Sequence, residues 1–292
     1  MDDSPNTMVL AIDGGGTRCR VGFRNGPDVI AIETGAANVA TDFDGGVAHV
    51  IEGLRALALR SGRSVETLAQ LPAFVGLAGV MSSDIAERLR GVLPFSNVRI
   101  ADDRPAALRG ALGMRDGVLA HCGTGSFYGV QIAGRTRLSG GWGPVLGDEA
   151  SAQWIGRAAL RGALKMVDGR AARSGLASLL LDRFGGAPGI VGFAGSARPS
   201  DFGALAPLVT DCAARGDALG RHVMAAGARA IAASLVSIGW VSGQAICLTG
   251  GIGPHFGPYM PDVMRADIVP PEGDPLAGAL SLAQDLALEV TG

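Results

Sequence analysis

The residues best placed for chemistry are aspartates that directly follow short apolar segments. Asp13 follows the apolar segment 8–12 and precedes a turn made of Gly14, Gly15, Gly16 and Thr17. Glycine lacks a Cβ, so the backbone N–H groups of such a turn can approach phosphate oxygens, and a neighbouring carboxylate can hold the water shell of Mg²⁺. The alternative is an aspartate that only forms a turn at the end of a strand.

Two further apolar segments, 118–122 and 245–249, also run into glycine-rich turns. These turns contain Gly123, Thr124, Gly125, Gly250 and Gly251. A single glycine turn is weak evidence for a ligand, since most such turns only reverse the chain. Three turns of one type, each directly after an apolar segment, predict a nucleotide site.

A second candidate for chemistry is Asp103, which follows the predicted strand 97–101 together with Asp102. Phosphoryl transfer to an alcohol needs a carboxylate that accepts the hydroxyl proton and orients the oxygen for in-line attack. Asp103 could instead cap a helix that begins near Pro105. The sequence leaves open which of the two aspartates is the base, and two adjacent carboxylates can shift each other's pKa.

A third group of candidates lies in the segment 140–149, GGWGPVLGDE. Asp148 and Glu149 form a carboxylate pair that suits sugar hydroxyls, and Trp142 offers an apolar face to a pyranose ring. The alternatives are a helix N-cap at Asp148, an acidic first-turn residue at Glu149 and an ordinary core tryptophan. Residue type and spacing alone favour these structural alternatives.

The elements that must position these residues form two similar series. Segments 9–23 and 29–33 predict three meandering strands, followed by a helix, a strand, a helix and a strand up to residue 101. This order is that of one ribonuclease-H-like domain, and the second half begins in the same way from residue 117. We therefore predict an α/β fold of two ribonuclease-H-like domains with a ligand cleft between them.

The three glycine turns resemble the phosphate-1, phosphate-2 and adenosine motifs of the sugar kinase/heat-shock chaperone/actin superfamily. The segment GGWGPVLGDE is the most specific feature and resembles the BadF/BadG/BcrA/BcrD ATPase family, in its N-acetylglucosamine and glucosamine kinase branch. The resemblance extends from Asp13 to the final helix. It implies two actin-like ATPase domains, residues 1–104 with the C-terminal helix 274–292 packed against them, and residues 105–273.

The resemblance also implies an activity that uses ATP and Mg²⁺. This activity is the phosphorylation of an amino sugar, glucosamine or N-acetylglucosamine, at the 6-hydroxyl. Asp13 would face the metal through water, and Thr124 and Gly125 would meet the β- and γ-phosphates. Gly250 and Gly251 would lie close to adenosine.

The sugar contacts are also carried over from the resemblance. Asp103 matches the base of a family motif that reads Asn-Asp-Ala, and this sequence departs from the motif at Asp102 and Arg104. Asn38 matches a sugar-binding asparagine, with a turn asparagine as the alternative. The implied sugar-binding residues are Asn38, Asp103, Gly141, Trp142, Gly143, Asp148 and Glu149.

Composition limits the partners of the chain, which is 48% hydrophobic and 18% charged with a net charge of −2. That balance disfavours nucleic acid or a membrane surface as the main partner. Lys165 is the only lysine, which excludes a phosphate-binding loop of the GxxxxGK[ST] type. The four cysteines lack metal-ligand spacing, and the acidic start is unlike a signal peptide. We therefore expect a cytoplasmic protein with free thiols.

Two other functions stay open. An activator ATPase of this family drives electron transfer into a partner enzyme and needs cysteines for an iron–sulfur cluster, which these four do not match in position. The other is a non-catalytic sugar sensor. A sensor that binds DNA would need an additional DNA-binding segment, for which we expect no room before Met8. We expect a small-molecule sugar as the partner, and the sequence is compatible with a homodimer.

The identity of the sugar is also open. The acidic residues predicted around the cleft would attract the ammonium group of glucosamine. Trp142 and the apolar segment 144–146 would instead suit the acetyl group of N-acetylglucosamine. The charge argument favours glucosamine.

Overall fold

The computed structural model of the chain describes residues 7–291. Its strands are β1 (Val9–Gly14), β2 (Cys19–Asn25), β3 (Asp28–Thr34), β4 (Ala73–Leu77), β5 (Val98–Ala101), β6 (Gly117–Cys122), β7 (Ser126–Ile132), β8 (Arg135–Gly140) and β9 (Ala245–Thr249). Its helices are α1 (Phe43–Ser61), α2 (Val65–Ala69), α3 (Ser83–Val92), α4 (Arg104–Leu112), α5 (Gly143–Leu146), α6 (Ala152–Val167), α7 (Gly175–Phe184), α8 (Ala187–Ser196), α9 (Pro199–Gly203), α10 (Ala206–Ala214), α11 (Ala218–Ser237), α12 (Asp262–Arg265) and α13 (Pro275–Thr291), with a 3₁₀ helix at Gly253–Tyr259. The chain divides into two compact units, one made of Met1–Met114 with Pro271–Gly292 and one made of Arg115–Pro270.

The first unit contains a five-stranded sheet in the order β3-β2-β1-β4-β5. Strands β1, β2 and β3 form an antiparallel meander, while β4 and β5 run parallel to β1. The carboxyl ends of β1, β4 and β5 therefore lie at one edge of the sheet, where ligands of α/β proteins commonly bind. Asp13 and Asp103 both lie at this edge.

Helices cover both faces of this sheet, which explains why β1 is apolar on both sides. Successive side chains of a strand point to opposite faces. Leu10 and Ile12 belong to a buried cluster with Leu54 of α1. Val9 belongs to a separate buried cluster with Leu280 of α13.

Helices α4 and α13 pack so closely that their backbones are in direct contact. A Cβ on Gly278 would overlap the carbonyl oxygen of Ala106 and the backbone of Gly110, so only glycine fits there. Gly110 in turn lies against the backbone of Asp274. Helix α4 therefore belongs to the first unit, whereas the predicted domain limits place it in the second. The sequence places the limit directly after the last strand, because it does not show which element the following helix packs on.

We expect Gly278→Ala to lower the free energy of unfolding by about 1–3 kcal/mol, the usual cost of overpacking a well-filled core. The added methyl group meets backbone atoms, which cannot turn aside as a flexible side chain can. Gly91→Ala in α3 is the matched control, because its added Cβ meets no described atom within 4 Å beyond the neighbouring residues of its own helix. Urea unfolding of both variants measures the difference, and equal stabilities would contradict the close packing of α4 on α13.

The second unit contains a four-stranded sheet in the order β8-β7-β6-β9. Strand β6 pairs antiparallel with β7 and parallel with β9, and His121 lies opposite Thr249 at the ends of the parallel pair. The glycine turns that follow β6 and β9 consequently start at neighbouring positions. This parallel pairing brings together two motifs that lie far apart in the sequence.

Helices α6, α7, α10 and α11 share one buried core with this sheet. Helix α8 was not predicted, because its glycine-rich segment gives a weak helical pattern. Tertiary packing stabilises it: the Phe193 ring packs in a tilted arrangement against Phe184 and edge-on against Phe202, with ring centroids 4.6 and 5.4 Å apart. Among the helices within residues 7–291, none combines the length and the apolar character that crossing a bilayer would require.

Candidate active site

Asp13 lies at the end of β1 and is paired with Arg20. The two residues are directly opposite in the β1–β2 hairpin, and Arg20 Nε and Nη2 donate to Asp13 Oδ2 over 3.1 and 2.6 Å. Arg20 also forms an ion pair with Asp274, just before α13. Burial raises the pKa of the Asp13 carboxyl, and the Arg20 charge opposes that rise. Asp13 is therefore a fixed carboxylate whose orientation is set by the neighbouring strand.

The glycines of the first turn differ in what surrounds them. A Cβ on Gly14 would lie 2.5 Å from the Leu77 side chain, so internal packing already requires glycine there. A Cβ on Gly15 would come no closer than 3.9 Å to the Arg18 carbonyl oxygen, and none of the described residues comes within 4 Å at Gly16. Protein packing does not explain these two glycines, whereas a ligand lying against the turn would.

Asp102 and Asp103 differ in their hydrogen bonds. Asp102 Oδ1 accepts from the backbone N–H and from Nε of Arg104 over 2.9 and 2.8 Å, and Oδ2 accepts from Nη2 over 3.1 Å. Asp103 is the N-cap residue of α4, but within the described residues its side chain makes no capping hydrogen bond. The structure thus gives the turn-forming role to Asp102 and leaves the Asp103 carboxylate without the capping role.

The surroundings of Asp103 suit a general base. Burial raises the pKa of its carboxyl to about 6, and the nearby negative charges of Asp102 and Asp13 add to the rise. A Cβ on Gly76 would lie 3.5 Å from the Asp103 Cα, so β4 approaches this residue closely. A carboxylate with a pKa near 6 is ionised at neutral pH and is more basic than an ordinary aspartate.

Asn38 forms a turn before α1. Its Oδ1 accepts from the backbone N–H of Ala40 over 3.1 Å, and its carbonyl oxygen accepts from the N–H of Asp42 over 3.0 Å. The turn role considered from the sequence is therefore present. It engages the amide oxygen, so a sugar contact by Asn38 would use the amide nitrogen as a donor.

In the second unit, the turns after β6 and β9 contact each other. Gly250 has φ of 80°, and a Cβ on it would overlap the carbonyl group of Cys122. Gly123 donates its N–H to the Gly125 carbonyl oxygen over 2.9 Å, which closes the first turn, and Thr124 at its tip is exposed. These two turns together form one backbone-lined surface.

Asp148 lies beside the turn after β6. Its carboxylate is so close to Gly125 that a Cβ there would lie 2.9 Å from Oδ2. Asp148 is only 7% exposed and has φ of 59°, a backbone conformation that is rare outside glycine. Burial raises the pKa of its carboxyl, while the backbone N–H groups of Ser126 and Gly143 and the charge of Arg157 oppose that rise.

The segment around Asp148 differs from the predicted structural alternatives. Ser151, not Asp148, caps α6, with its Oγ accepting from the Trp154 N–H over 3.3 Å. Trp142 is 67% exposed and is therefore not a core residue. The Glu149 side chain is exposed, while its carbonyl oxygen accepts from Ser126 Oγ over 2.7 Å. Trp142 and Glu149 are thus both accessible to a ligand.

His121, which belongs to no motif in the sequence, lies beneath both turns of the second unit. Its Nδ1 lies 3.1 Å from Thr249 Oγ1, its ring stacks on Phe127, and a Cβ on Gly123 would lie 3.5 Å from its Nε2. Burial lowers the pKa of His121 to about 4, so the ring is neutral at neutral pH. It supports the two turns by packing and hydrogen bonding, a role that only the β6–β9 pairing reveals.

Comparison with known proteins identifies the family. The sequence profile of the BadF/BadG/BcrA/BcrD ATPase family matches residues 10–280. The chain belongs to this family. That match covers both units, so the family membership predicted from the glycine turns and the GGWGPVLGDE segment is confirmed.

Three relatives illustrate the relationship. A glucosamine kinase of Vibrio cholerae is 26% identical over 278 residues, covering 94% of this chain and 95% of its own length. An N-acetylmuramic acid/N-acetylglucosamine kinase of Clostridium acetobutylicum is 30% identical over 182 residues, covering 60% of this chain and 59% of its own. A crystal structure from Chromobacterium violaceum, provisionally described as an N-acetylglucosamine kinase, is 29% identical with a TM-score of 0.83, covering 96% of this chain and 100% of that one. The predicted α/β fold with two actin-like domains is confirmed.

The donor groups of this member of the BadF/BadG/BcrA/BcrD family fit a metal that is bound mainly through nucleotide phosphates. Among the described residues, no group of three or more His, Cys, Asp or Glu side chains is arranged to hold a metal ion. Mg²⁺ commonly binds through one or two carboxylates together with substrate phosphates and water. Asp13 supplies an oxygen donor of that kind beside the first glycine turn.

Proposed function

We propose that this protein is an ATP-dependent hexosamine kinase that phosphorylates the 6-hydroxyl of glucosamine or N-acetylglucosamine. The observation that carries the proposal is the pair of aspartates after β5. Arg104 holds the carboxylate of Asp102, while that of Asp103 has its pKa raised to about 6 and takes no part in capping α4. A relative named as a glucosamine kinase covers 94% of this chain and supports the same enzyme class.

In the proposed reaction, Asp103 accepts the proton of the sugar hydroxyl while that oxygen attacks the γ-phosphate. Its raised pKa makes the carboxylate a stronger base while it stays ionised at neutral pH. Because phosphoryl transfer involves little covalent chemistry by the protein, positioning of the hydroxyl accounts for much of the rate.

The nucleotide contacts proposed here use backbone groups of the three glycine turns. Gly15 and Gly16 leave open space that a phosphate oxygen could occupy. A Cβ on Gly251 would likewise meet no described atom within 4 Å beyond its chain neighbours. Thr124 and Gly125 would donate N–H groups to the β- and γ-phosphates. When bound, Mg²⁺ would neutralise phosphate charge, with Asp13 holding its water shell.

The sugar contacts proposed here are Asn38, Asp103, Gly141, Trp142, Gly143, Asp148 and Glu149. Trp142 is exposed and can stack on a pyranose ring, and Glu149 is exposed and can accept from sugar hydroxyls. The Asp148 carboxylate is buried, and its N–H partners hold it at Gly125. We favour glucosamine, because four carboxylates and few cations lie among the proposed sugar contacts and their neighbours.

The alternative function, an activator ATPase, is less well supported than the hexosamine kinase. An iron–sulfur cluster needs thiolates that can reach a common iron centre. Cys19, Cys122, Cys212 and Cys247 are all buried as free thiols, and burial raises the pKa of Cys19 and of Cys122 to about 12. Such thiols behave as small hydrophobic side chains rather than as metal ligands.

We expect ADP release to depend on both the sugar and Mg²⁺. A coupled assay over glucosamine, N-acetylglucosamine, N-acetylmuramic acid and glucose under one condition measures kcat/KM for each. An amino sugar should exceed glucose at least tenfold, since discrimination that rests on one buried polar group can be large. ATP hydrolysis that is equal with and without every sugar would refute the kinase and favour the ATPase. If glucose matched the amino sugars, only the substrate assignment would be wrong.

A further inference from the structure

A cavity of about 660 Å³ lies within the second unit, lined by α6, α11 and the loops next to them. Arg157, Arg161 and Lys165 line it from one face of α6, and Leu219 and His222 line it from the start of α11. The segment 144–149 closes one end. Its volume falls within the range of roughly 300–1,000 Å³ that is typical of small-molecule sites.

The cavity includes one proposed sugar contact, Glu149, and excludes another, Asp148. Gly147 and Glu149 line the cavity, whereas Asp148 between them does not. The carboxylate of Asp148 instead faces Gly125 and is almost fully buried. The segment 144–149 therefore separates the cavity from the turn after β6.

The cavity is strongly cationic. Four side chains that line it carry permanent positive charge, and Glu149 is the one lining carboxylate among the described residues; the cations are Arg157, Arg161, Lys165 and Arg170. Arg157, Arg161 and Lys165 recur every four residues on α6, a spacing at which like charges repel each other. Within residues 7–291, Arg161, Lys165 and Arg170 form no ion pair with a carboxylate. Their charges are thus available to an anion.

We propose that this cavity is a second ligand site that binds a phosphorylated small molecule. Arg161 and Lys165 hold the phosphate, since guanidinium and ammonium groups are the side chains that recognise phosphate oxygens best. The remainder of the ligand packs against the apolar part of the wall, formed by Pro144, Trp154 and Leu219.

The cavity is connected to the segment that carries the proposed sugar contacts. Arg157 Nη2 donates to the carbonyl oxygen of Pro144 over 2.6 Å, which ties α6 to the start of α5. Burial raises the pKa of Asp148, and the Arg157 charge opposes part of that rise. An anion beside Arg157 would weaken both effects, so occupancy should change the affinity for the sugar. This coupling rests on the proposed function, whereas ligand binding itself does not.

Isothermal titration calorimetry tests the site with three probes: fructose 6-phosphate, inorganic phosphate and unphosphorylated fructose. A saturating non-hydrolysable ATP analogue occupies the nucleotide site throughout. We expect fructose 6-phosphate to bind most tightly and fructose not to bind. In Arg161→Gln/Lys165→Gln the Kd for fructose 6-phosphate should rise at least tenfold, because two charge-assisted contacts are lost.

The matched control is Arg221→Gln/Arg229→Gln, which removes two exposed cations of α11 that do not line the cavity. Its Kd should equal that of the unsubstituted protein. Equal Kd values in all three proteins, or no binding of either phosphate probe to the unsubstituted protein, would overturn the site. A probe that binds in this pattern but leaves the KM for the sugar unchanged would overturn the coupling alone. Absence of kinase activity would refute the proposed function without affecting the titrations.

Discussion

Asp103→Asn should lower kcat by about 10²–10⁴, the range expected when a general base is lost, while the KM for the sugar changes little. The amide keeps the shape and the hydrogen-bonding reach of the side chain but cannot accept the proton. Coupled measurement of ADP release at saturating ATP and sugar gives kcat directly. Binding of the sugar, measured by calorimetry, separates loss of chemistry from loss of affinity.

Asp102→Asn is the matched control for this prediction. It removes a carboxylate from the adjacent position and weakens the contacts with Arg104. If Asp103 is the base, Asp102→Asn should retain most of the activity. An active Asp103→Asn together with an inactive Asp102→Asn would assign the base to Asp102 instead.

The pH dependence of kcat/KM, compared between the unsubstituted protein and Asp102→Asn, tests the same assignment. A base with a pKa near 6 makes kcat/KM fall about tenfold per pH unit below that value, because the protonated carboxyl cannot accept a proton. Asp102→Asn should shift this fall to lower pH, since the Asp102 charge contributes to the raised pKa of Asp103. If kcat/KM of Asp102→Asn fell at the same pH as that of the unsubstituted protein, a group other than Asp103 would be responsible for the fall.

Asp103 also affects stability, with a sign that follows from its pKa. A carboxyl whose pKa is raised on folding favours the folded state while it is protonated, and this contribution is lost as the pH rises through about 6. Asp103→Asn should therefore raise the melting temperature more at pH 8 than at pH 5. A variant that loses activity and gains stability is behaving as expected for a residue kept for function.

Gly15→Val should raise the KM for ATP by at least tenfold while the melting temperature changes little. The added side chain enters space that no described protein atom occupies, so the fold tolerates it, but a phosphate lying against the turn would be displaced. Nucleotide titration and thermal unfolding of the same preparation measure the two effects. If Gly15→Val bound ATP with normal affinity, this turn would have only a structural role.

Two other glycines provide the controls for Gly15→Val. Gly91→Val also enters open space, in α3, and should leave the KM for ATP unchanged. Gly14→Val should instead lower the melting temperature strongly, because its Cβ would already overlap the Leu77 side chain. If Gly15→Val unfolds in the same way as Gly14→Val, the open space at the turn does not exist in solution.

Much of the architecture could be predicted because it depends on local patterns. The apolar segments before the glycine turns form β1, β6 and β9, and the first unit follows the predicted order of strands and longer helices, with the short helix α2 in addition. The predicted strand between the first two longer helices is β4, whose residues are all buried. Periodicity failed for α8 and for the start of α6, where tertiary contacts and the Ser151 cap decide the structure.

The candidate site could be predicted only in part. The sequence could not distinguish Asp102 from Asp103, because the pairing of Asp102 with Arg104 depends on the conformation of the turn. The sequence does contain a signal for the partner of Asp13. The glycine turn sets the register of the β1–β2 hairpin, and this register places Arg20 directly opposite Asp13. His121 and the cationic cavity had no such signal, since both arise from elements that are distant in the chain.

The packing of α13 on the first sheet has a consequence for synthesis of the protein. Val9 and Phe74 are covered by a helix that the ribosome makes only after the whole second unit. At a synthesis rate of about 5–20 residues per second, this face stays exposed to solvent for on the order of ten seconds. During that time Arg115–Pro270 can already complete its own core. The first unit, although synthesis begins with it, is therefore the last to complete its fold, and during that interval its exposed face is a target for chaperones.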